Sequence, residues 1–490
     1  MKTFESTDLP VGIPLVVAST SPSTDASANK LAHERPHTSL WGILAYAVPS
    51  MPIQAFFTMF TVYLIPYLTL ELAFAVSHVS LVLLAGPLSG LTVAPIMGVL
   101  SDRSGRRLGL FTTGCVAMAA CQIVLAWSRE LGGSNPAAVK WLSATAVYIG
   151  CISARASIVG HRAMAIDNIP PRQQPVFNLA TGLMAASGAS ITLILGLVRP
   201  SFKVITAVCA VLITFSIFPL WAVRKPPAVH RQPIVREESD RFGALSAVLS
   251  VPRTLWDAAR HLPPGIHRTC KIQILSHHDT AFSSLLRHAF GLTKGKPDVA
   301  TRGRGSEAVA PDVSARAGVR VLLIAEVGAF LLQMTVVRLW DASSASTKPV
   351  RRFMDEDMVA LRRVWALAFA ALGVSTLAAV VFRGSFPAAP ICAASIMTIS
   401  PLSVLVPFTI ISYETAVVHE EKNGDPSTPR SSATLFSLHE MAITMGQGLA
   451  VLTSGLIGFG IEHIDTEARN TTAFLFAPAV VAAMIAALLC

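Results

Sequence analysis

Apolar runs occupy residues 41–70, 77–100, 108–127, 139–160, 176–198, 203–223, 318–340, 364–382, 389–413, 433–459 and 472–490. A helix rising about 1.5 Å per residue needs roughly 20 mostly apolar residues to cross the hydrocarbon of a bilayer. Each run is near that length or above it, whereas barrel strands would need only about ten. In hydrocarbon the backbone must satisfy its own hydrogen bonds, so each run is expected to form a continuous helix. The expected fold class is an all-α polytopic membrane protein. Charged residues make up 14% of the chain and mean hydropathy is +0.56, against about 25% charged residues in soluble domains.

The formal net charge is +10. In a soluble protein that excess would suggest nucleic acid as a partner; here it is read as the Lys/Arg bias of cytoplasmic loops, with the lipid bilayer as partner. The 7 cysteines are scattered, mostly within apolar runs, without metal or redox spacing. They read as small apolar residues, and neither a metal nor a cofactor is expected. No paired catalytic constellation, such as two Asp or a Ser–His pair, is visible at membrane depth, so the chain is not expected to be an enzyme. Residues 1–38, rich in Ser, Thr, Ala and Pro, are expected to be a disordered cytoplasmic tail without a cleaved signal peptide.

Loop charges orient the helices. Arg103, Arg106 and Arg107 follow the second run, Arg162 and Arg172 the fourth, Arg224 and Lys225 the sixth. The stretch 338–363 carries Arg338, Lys348, Arg351, Arg352, Arg362 and Arg363, while 71–78 carries no Lys or Arg. These clusters belong inside by the positive-inside rule. The parity then fails: the chain is inside after the sixth run, yet 338–363 would fall outside if 318–340 were the next crossing. One further helix is required between 226 and 317, which makes twelve, with both termini cytoplasmic. The best candidate is "CKIQILSHHDTAFSSLLRHAFGL" (270–292), interrupted by His277, His278, Asp279, Arg287 and His288. It is either a polar helix or a stretch that does not span. A third reading is a shifted reading frame across about 275–315. The expected organisation is the tail 1–38, a six-helix bundle 39–225, a central cytoplasmic loop with a degenerate seventh helix 226–316, and the rest of a second six-helix bundle 317–490.

"GVLSDRSGRR" (98–107) resembles the loop between helices two and three of the major facilitator superfamily, with Gly98, Asp102, Arg103, Gly105, Arg106 and Arg107 all in place. The resemblance implies two six-helix halves around a midplane site and a cytoplasmic gate at these six residues. The glycines suit a tight turn and close helix approach. The aspartate suits a helix amino terminus, and the arginines suit neighbouring helix ends.

A narrower resemblance runs from about 54 to 459. "LLAGPLSGLTVAPIMGVLSDRSGRR" (83–107), "HRAMAIDNIPPRQQ" (161–174), "LIPYL" (64–68), "HLPPGI" (261–266), "VLVPFTIISYE" (404–414) and "SLHEMAI" (437–443) are similar, in order, to segments of the sucrose transporter family. These are proton-coupled glycoside symporters, and the chain would be a divergent fungal- or protist-like member. The resemblance implies a carrier of sucrose- or maltose-like glycosides in the plasma membrane or the vacuolar membrane. Its solute- and proton-facing positions fall on Cys151, Arg155, Arg162, Asp167 and His439; Gln54 and Glu326 are further candidate solute-facing residues.

The chain departs from that family in helix four. The family's aspartate, eleven residues before Arg162, is here Cys151, and its asparagine four residues later is Arg155. A thiol with a usual pKa of about 8.5 does not replace a carboxylate as proton carrier, so proton coupling is expected to be weak or absent. Arg155 either faces an acidic or anionic partner in a wet cavity or snorkels from a helix end. Glu326, read as the sole acid inside a clear apolar run, either pairs with Arg155 or substitutes as proton site, or else lies near a helix end in water. His161 is read as a loop residue, and His439 as either a relay or a structural position. "GLMAASGAS" (182–190) is expected to pack within the first half, and Asn470 heads an acceptor sequence for glycosylation. The reading from another class is a transporter-like sensor or scaffold, or a remnant that does not transport.

Overall fold

The structure is a computed structural model that describes residues 38–74, 76–170, 173–198, 201–223, 249–260, 262–275, 311–344, 350–381, 394–395, 398–399, 402, 405–415, 432–462 and 485. Its regular elements are all helical among the described residues. They are α1 (Leu40–Leu64), α2 (Leu81–Ser104), α3 (Arg107–Ala126), α4 (Pro136–Asn168), α5 (Gln174–Val198) and α6 (Phe202–Val223). After these come α7 (Pro264–Leu275), α8 (Pro311–Ser344), α9 (Val350–Val381), α10 (405–415) and α11 (Ser432–Glu462). A short amphipathic helix, Val251–Arg260, precedes α7. Among the described residues seven helices, α1 to α6 and the stretch Val359–Ala378 of α9, are long and apolar enough to cross a membrane. The expected twelfth helix apart from residue 485, all of 276–292, Asn470 and residues 1–37 of the tail lie outside the described residues.

Helix ends follow local chemistry. Asn135 caps α4, its side chain accepting from the N–H groups of Ala137 and Ala138 at 3.0 and 3.3 Å, and Pro136 occupies the first helical position, where no N–H is needed. At the other end Ile169 turns extended (φ −100°, ψ 127°), as the residue before Pro170 must. The helix runs 33 residues, longer than its apolar window. Arg162 and His161, read as loop residues, therefore lie inside α4. His161 is buried between the Phe111 and Phe177 rings, with its Nε2 against the Tyr46 carbonyl. Helical geometry simply continues past the point where hydropathy falls.

Lipid is as apolar as leucine, so close packing between helices supplies much of their association. The α2–α11 crossing shows how. Gly98 and Gly90 face α11: a Cβ on Gly98 would lie 2.8 Å from the Ala433 carbonyl oxygen, and one on Gly90 2.1 Å from a Thr444 methyl. The small-residue stretch of α5 behaves differently from expectation. Gly188 does pack on the Met51 backbone of α1, but Gly182 faces Gln333 of α8, so the stretch also contacts a later helix.

Directions can be read from these contacts. The ends of α2 and α4 and the start of α11 meet at one end of the bundle, the basic end. Gly182 lies nearer that end of α5 and faces Gln333, whereas Ser190 and Ile194 share a crevice with Val327 and Phe330. Thus α8 runs toward the basic end. α7 runs the opposite way, beside α11: Ile266 clusters with Leu435, and the carbonyls of Gln273 and Ile274 reach Gly446.

Gly98→Leu is expected to destabilise the protein by about 1–3 kcal/mol through overpacking. The exposed Gly109, where a Cβ meets only the Arg106 Cβ at 3.8 Å, should accept Leu with little change. Thermal unfolding of the detergent-solubilised variants checks the contrast.

Candidate functional site between the first six helices and α11

At the basic end Gly105 adopts φ +62°, a left-handed conformation that suits glycine. The chain reverses there, and Arg107, opening α3, folds back onto α2. Arg107 is buried (6% exposed), and all three nitrogens of its forked guanidinium donate. Nη1 donates to Ser101 Oγ at 3.0 Å, Nη2 to Asp102 Oδ1 at 2.9 Å and Ser432 Oγ at 2.8 Å, and Nε to Asp167 Oδ2.

Asp102 then reaches α11. Its Oδ1 accepts from the N–H of Ala433 at 3.1 Å; its Oδ2 accepts from the N–H and hydroxyl of Thr434 at 2.7 and 2.6 Å. A carboxylate of α2 thus caps a different, later helix, satisfying first-turn donors and facing the positive end of its dipole. The Ser432 hydroxyl donates to Asp167 Oδ1 at 2.9 Å, so α2, α3, α4 and α11 share one network. Asp167, a solute-facing position by resemblance, has both oxygens engaged here. Arg106 is exposed, and Arg103 donates to Thr254 of the amphipathic helix at 3.4 Å. Of the three arginines, Arg107 joins the ends.

A second cluster lies deeper. Cys151, Arg155 and Arg162 are four and seven residues apart on α4, one stripe of the helix. Twelve residues separate Arg155 from Asp167, about 18 Å along the axis, or roughly half of a 30 Å hydrocarbon core. Arg155 Nη1 donates to Glu440 Oε2 of α11 at 2.6 Å, with side chains 11% and 5% exposed. Its guanidinium lies 5.8 Å from the Phe57 ring, one turn past the half-buried Gln54 of α1. Arg162 Nη1 donates to Asn178 Oδ1 at 2.9 Å, and its guanidinium lies 4.7 Å from the Phe408 ring and 5.8 Å from the Phe177 ring. His439 is fully buried edge-on to Phe408 (ring centroids 4.9 Å apart), with neither ring nitrogen hydrogen-bonded.

This corrects the expected partner of Arg155: it is Glu440, not Glu326. Glu440 is the acid that reading the runs missed, although it stands inside the run 433–459 beside His439. An acid in such a run is itself a signal, because charge at membrane depth is costly without a partner. Glu326 is half-buried in α8 and has no ion-pair partner among the described residues. Its neighbour Val327, with Phe330, lines a crevice of about 270 Å³ against Ser187 and Ser190 of α5. Cys151 is buried in the same stripe as Arg155 (4% exposed).

Solved structures share this arrangement of helices. The xylose transporter XylE from E. coli, in a partially occluded inward-open conformation, superposes with a TM-score of 0.53 at 14% identity, over 91% of this chain and 94% of that one. XylE described as a proton:xylose symporter and bound to 6-bromo-6-deoxy-D-glucose gives 0.56 at 13%, over 94% of each chain. The chain has the fold of the major facilitator superfamily. The nucleoside transporter NupG matches it too, with a TM-score of 0.52 at 10% identity, over 91% and 97% of the two chains. In sequence, a general alpha-glucoside permease of Schizosaccharomyces pombe is 22% identical over 283 residues, 52% of this chain and 49% of the permease. The match therefore spans about half the length of that relative. No protein-family model matches the chain. The major facilitator neighbours are transporters, not enzymes. In this fold the two polar clusters are placed where the first six helices meet α11.

Arg107→Ala leaves two buried carboxylates unpaired and is expected to cost about 3–5 kcal/mol, whereas Arg106→Ala at the surface should stay within about 0.5 kcal/mol. Equilibrium unfolding in detergent, read for both variants, checks this.

Proposed function

We propose that the chain is a membrane solute carrier that works by alternating access, with glycosides of the sucrose or maltose class as its solutes. The observation that carries this reading is the placement of polar contacts between α11 and the first six helices, at the basic end and again near mid-membrane. A permanent scaffold has no need of buried ions across such a boundary. A carrier has, because hydrogen-bonded contacts have discrete made and broken states. The glycoside class draws support from the fission-yeast permease and the ordered sequence resemblance. Gly98, Asp102, Arg103, Gly105, Arg106 and Arg107 form the gate, Arg107 and Asp102 holding it shut, and Gln54, Cys151, Arg155, Arg162 and His439 face the solute path. The basic end is cytoplasmic, both termini lie inside, and the two six-helix bundles cover 39–225 and the chain beyond the central loop 226–316. The plasma membrane is the favoured location.

Coupling to protons is weak or absent in this reading. Cys151 stands where a carboxylate would carry the proton, and the carboxylate of Glu440 is paired with Arg155. Glu326 is the remaining candidate proton site.

Reconstitution tests the reading. Labelled maltose and sucrose are expected to accumulate inside proteoliposomes to equilibrium, and Asp102→Asn to slow uptake without preventing insertion. Binding without translocation would mark a sensor instead. With pH set independently on the two sides, an inward proton gradient is expected to change the uptake rate less than about twofold. A strong dependence that disappears in Glu326→Gln would place the proton site in α8.

A further inference from the structure

The mid-membrane cluster is unbalanced in charge. Arg155 and Arg162 bring two guanidiniums, always protonated, and Glu440 brings one carboxylate, so 2 − 1 leaves one positive charge. Asp167, five residues beyond Arg162, is already committed to Arg107 and Ser432. Arg162 is held by a neutral amide, Asn178, and by the faces of Phe408 and Phe177. No carboxylate pairs with it among the described residues. Beside it stands His439, fully buried with both ring nitrogens unbonded among the described residues, in a protein interior where buried polar groups are nearly always bonded. Excess positive charge and a buried donor-acceptor side by side make surroundings suited to an anion.

We propose that this cluster binds a single carboxylate carried by the solute, so that the chain prefers an acidic glycoside, of the uronoside class, over a neutral one. The proposal rests on the carrier reading above and narrows its substrate class. The partition of the charges supports it. Arg155 and Arg162 both ride on α4, whereas Glu440 rides on α11. When α11 parts from α4, Glu440 leaves and both guanidiniums remain on one stripe, facing the opened space. A solute carboxylate can take the place Glu440 vacates, with the bidentate geometry that guanidinium favours. Phe57, half-buried beside Arg155, adds an apolar ring next to the guanidinium. In this arrangement Glu440 is the solute's competitor: it neutralises Arg155 while the site is empty.

The test uses the full-length protein in detergent and two probes that differ only in charge, methyl α-D-glucuronide and methyl α-D-glucoside, with binding measured by titration calorimetry and uptake measured in proteoliposomes. The glucuronide is expected to bind at least about tenfold tighter. Arg162→Gln should abolish that advantage, so that the two probes bind with affinities within about threefold of each other. Glu440→Gln, which removes the competitor, should tighten glucuronide binding. If Arg162→Gln does not fold, the Glu440 variant decides: unchanged or weaker glucuronide binding overturns the proposal. Equal affinity for the two probes in the unaltered protein also overturns it, while glucoside uptake would leave the carrier reading standing. Binding and uptake of neither probe would overturn both.

Discussion

The amino terminus of α11 is buried, and a helix end cannot be buried with its first N–H groups unsatisfied. Those groups have no partner within their own helix; Asp102 of α2 supplies one, accepting from Ala433 and Thr434. Much else at this end follows. For the carboxylate to reach α11 the two helices must lie close, which Gly90 and Gly98 permit. For the carboxylate to remain ionised while buried it needs a cation, and Arg107 is brought back to it by the left-handed turn at Gly105. For Arg107 to be buried in turn, its other nitrogens need acceptors, which Ser101, Asp167 and Ser432 provide.

Much of this was legible in the chain before any coordinates. The alternation of apolar runs and basic loops announces helices of membrane length, because hydrocarbon leaves the backbone no other solution. Gly98, Asp102 and Gly105 were legible as a close approach, a helix-end acceptor and a turn, since each residue type suits one local geometry. Charge parity alone leads to the expectation of a crossing before α8. The long helix α4 was not: hydropathy reports where lipid begins, not where helical hydrogen bonding stops, so His161 and Arg162 were placed in a loop.

Partners distant in sequence were illegible for a different reason. Nothing local links Arg155 to Glu440, 285 residues away, and Glu326 satisfied the same reasoning from charge. Only the packing of α11 between α2, α4 and α7 decides between the two acids. Likewise the three arginines of the basic motif differ little as a string, yet the turn buries Arg107 and leaves Arg106 in water. Chemistry names the kind of partner a buried charge requires; topology chooses which one.

The network at the basic end has a property that the deeper pair lacks. Arg107, Asp102 and Asp167 all belong to the first six helices, and α11 contributes to them only a hydroxyl pair and two backbone amides. Withdrawing α11 therefore splits no cation from its anion. Every ion at that end keeps its counter-ion at home, and the work of separation is that of neutral groups leaving their ionised partners for water, about 1.5–3 kcal/mol for each bond. Such a joint loosens in small thermal steps and is indifferent to ionic strength. The Arg155–Glu440 pair divides its charges between the separating bodies, so the same motion, felt deeper in the protein, becomes an electrostatic event.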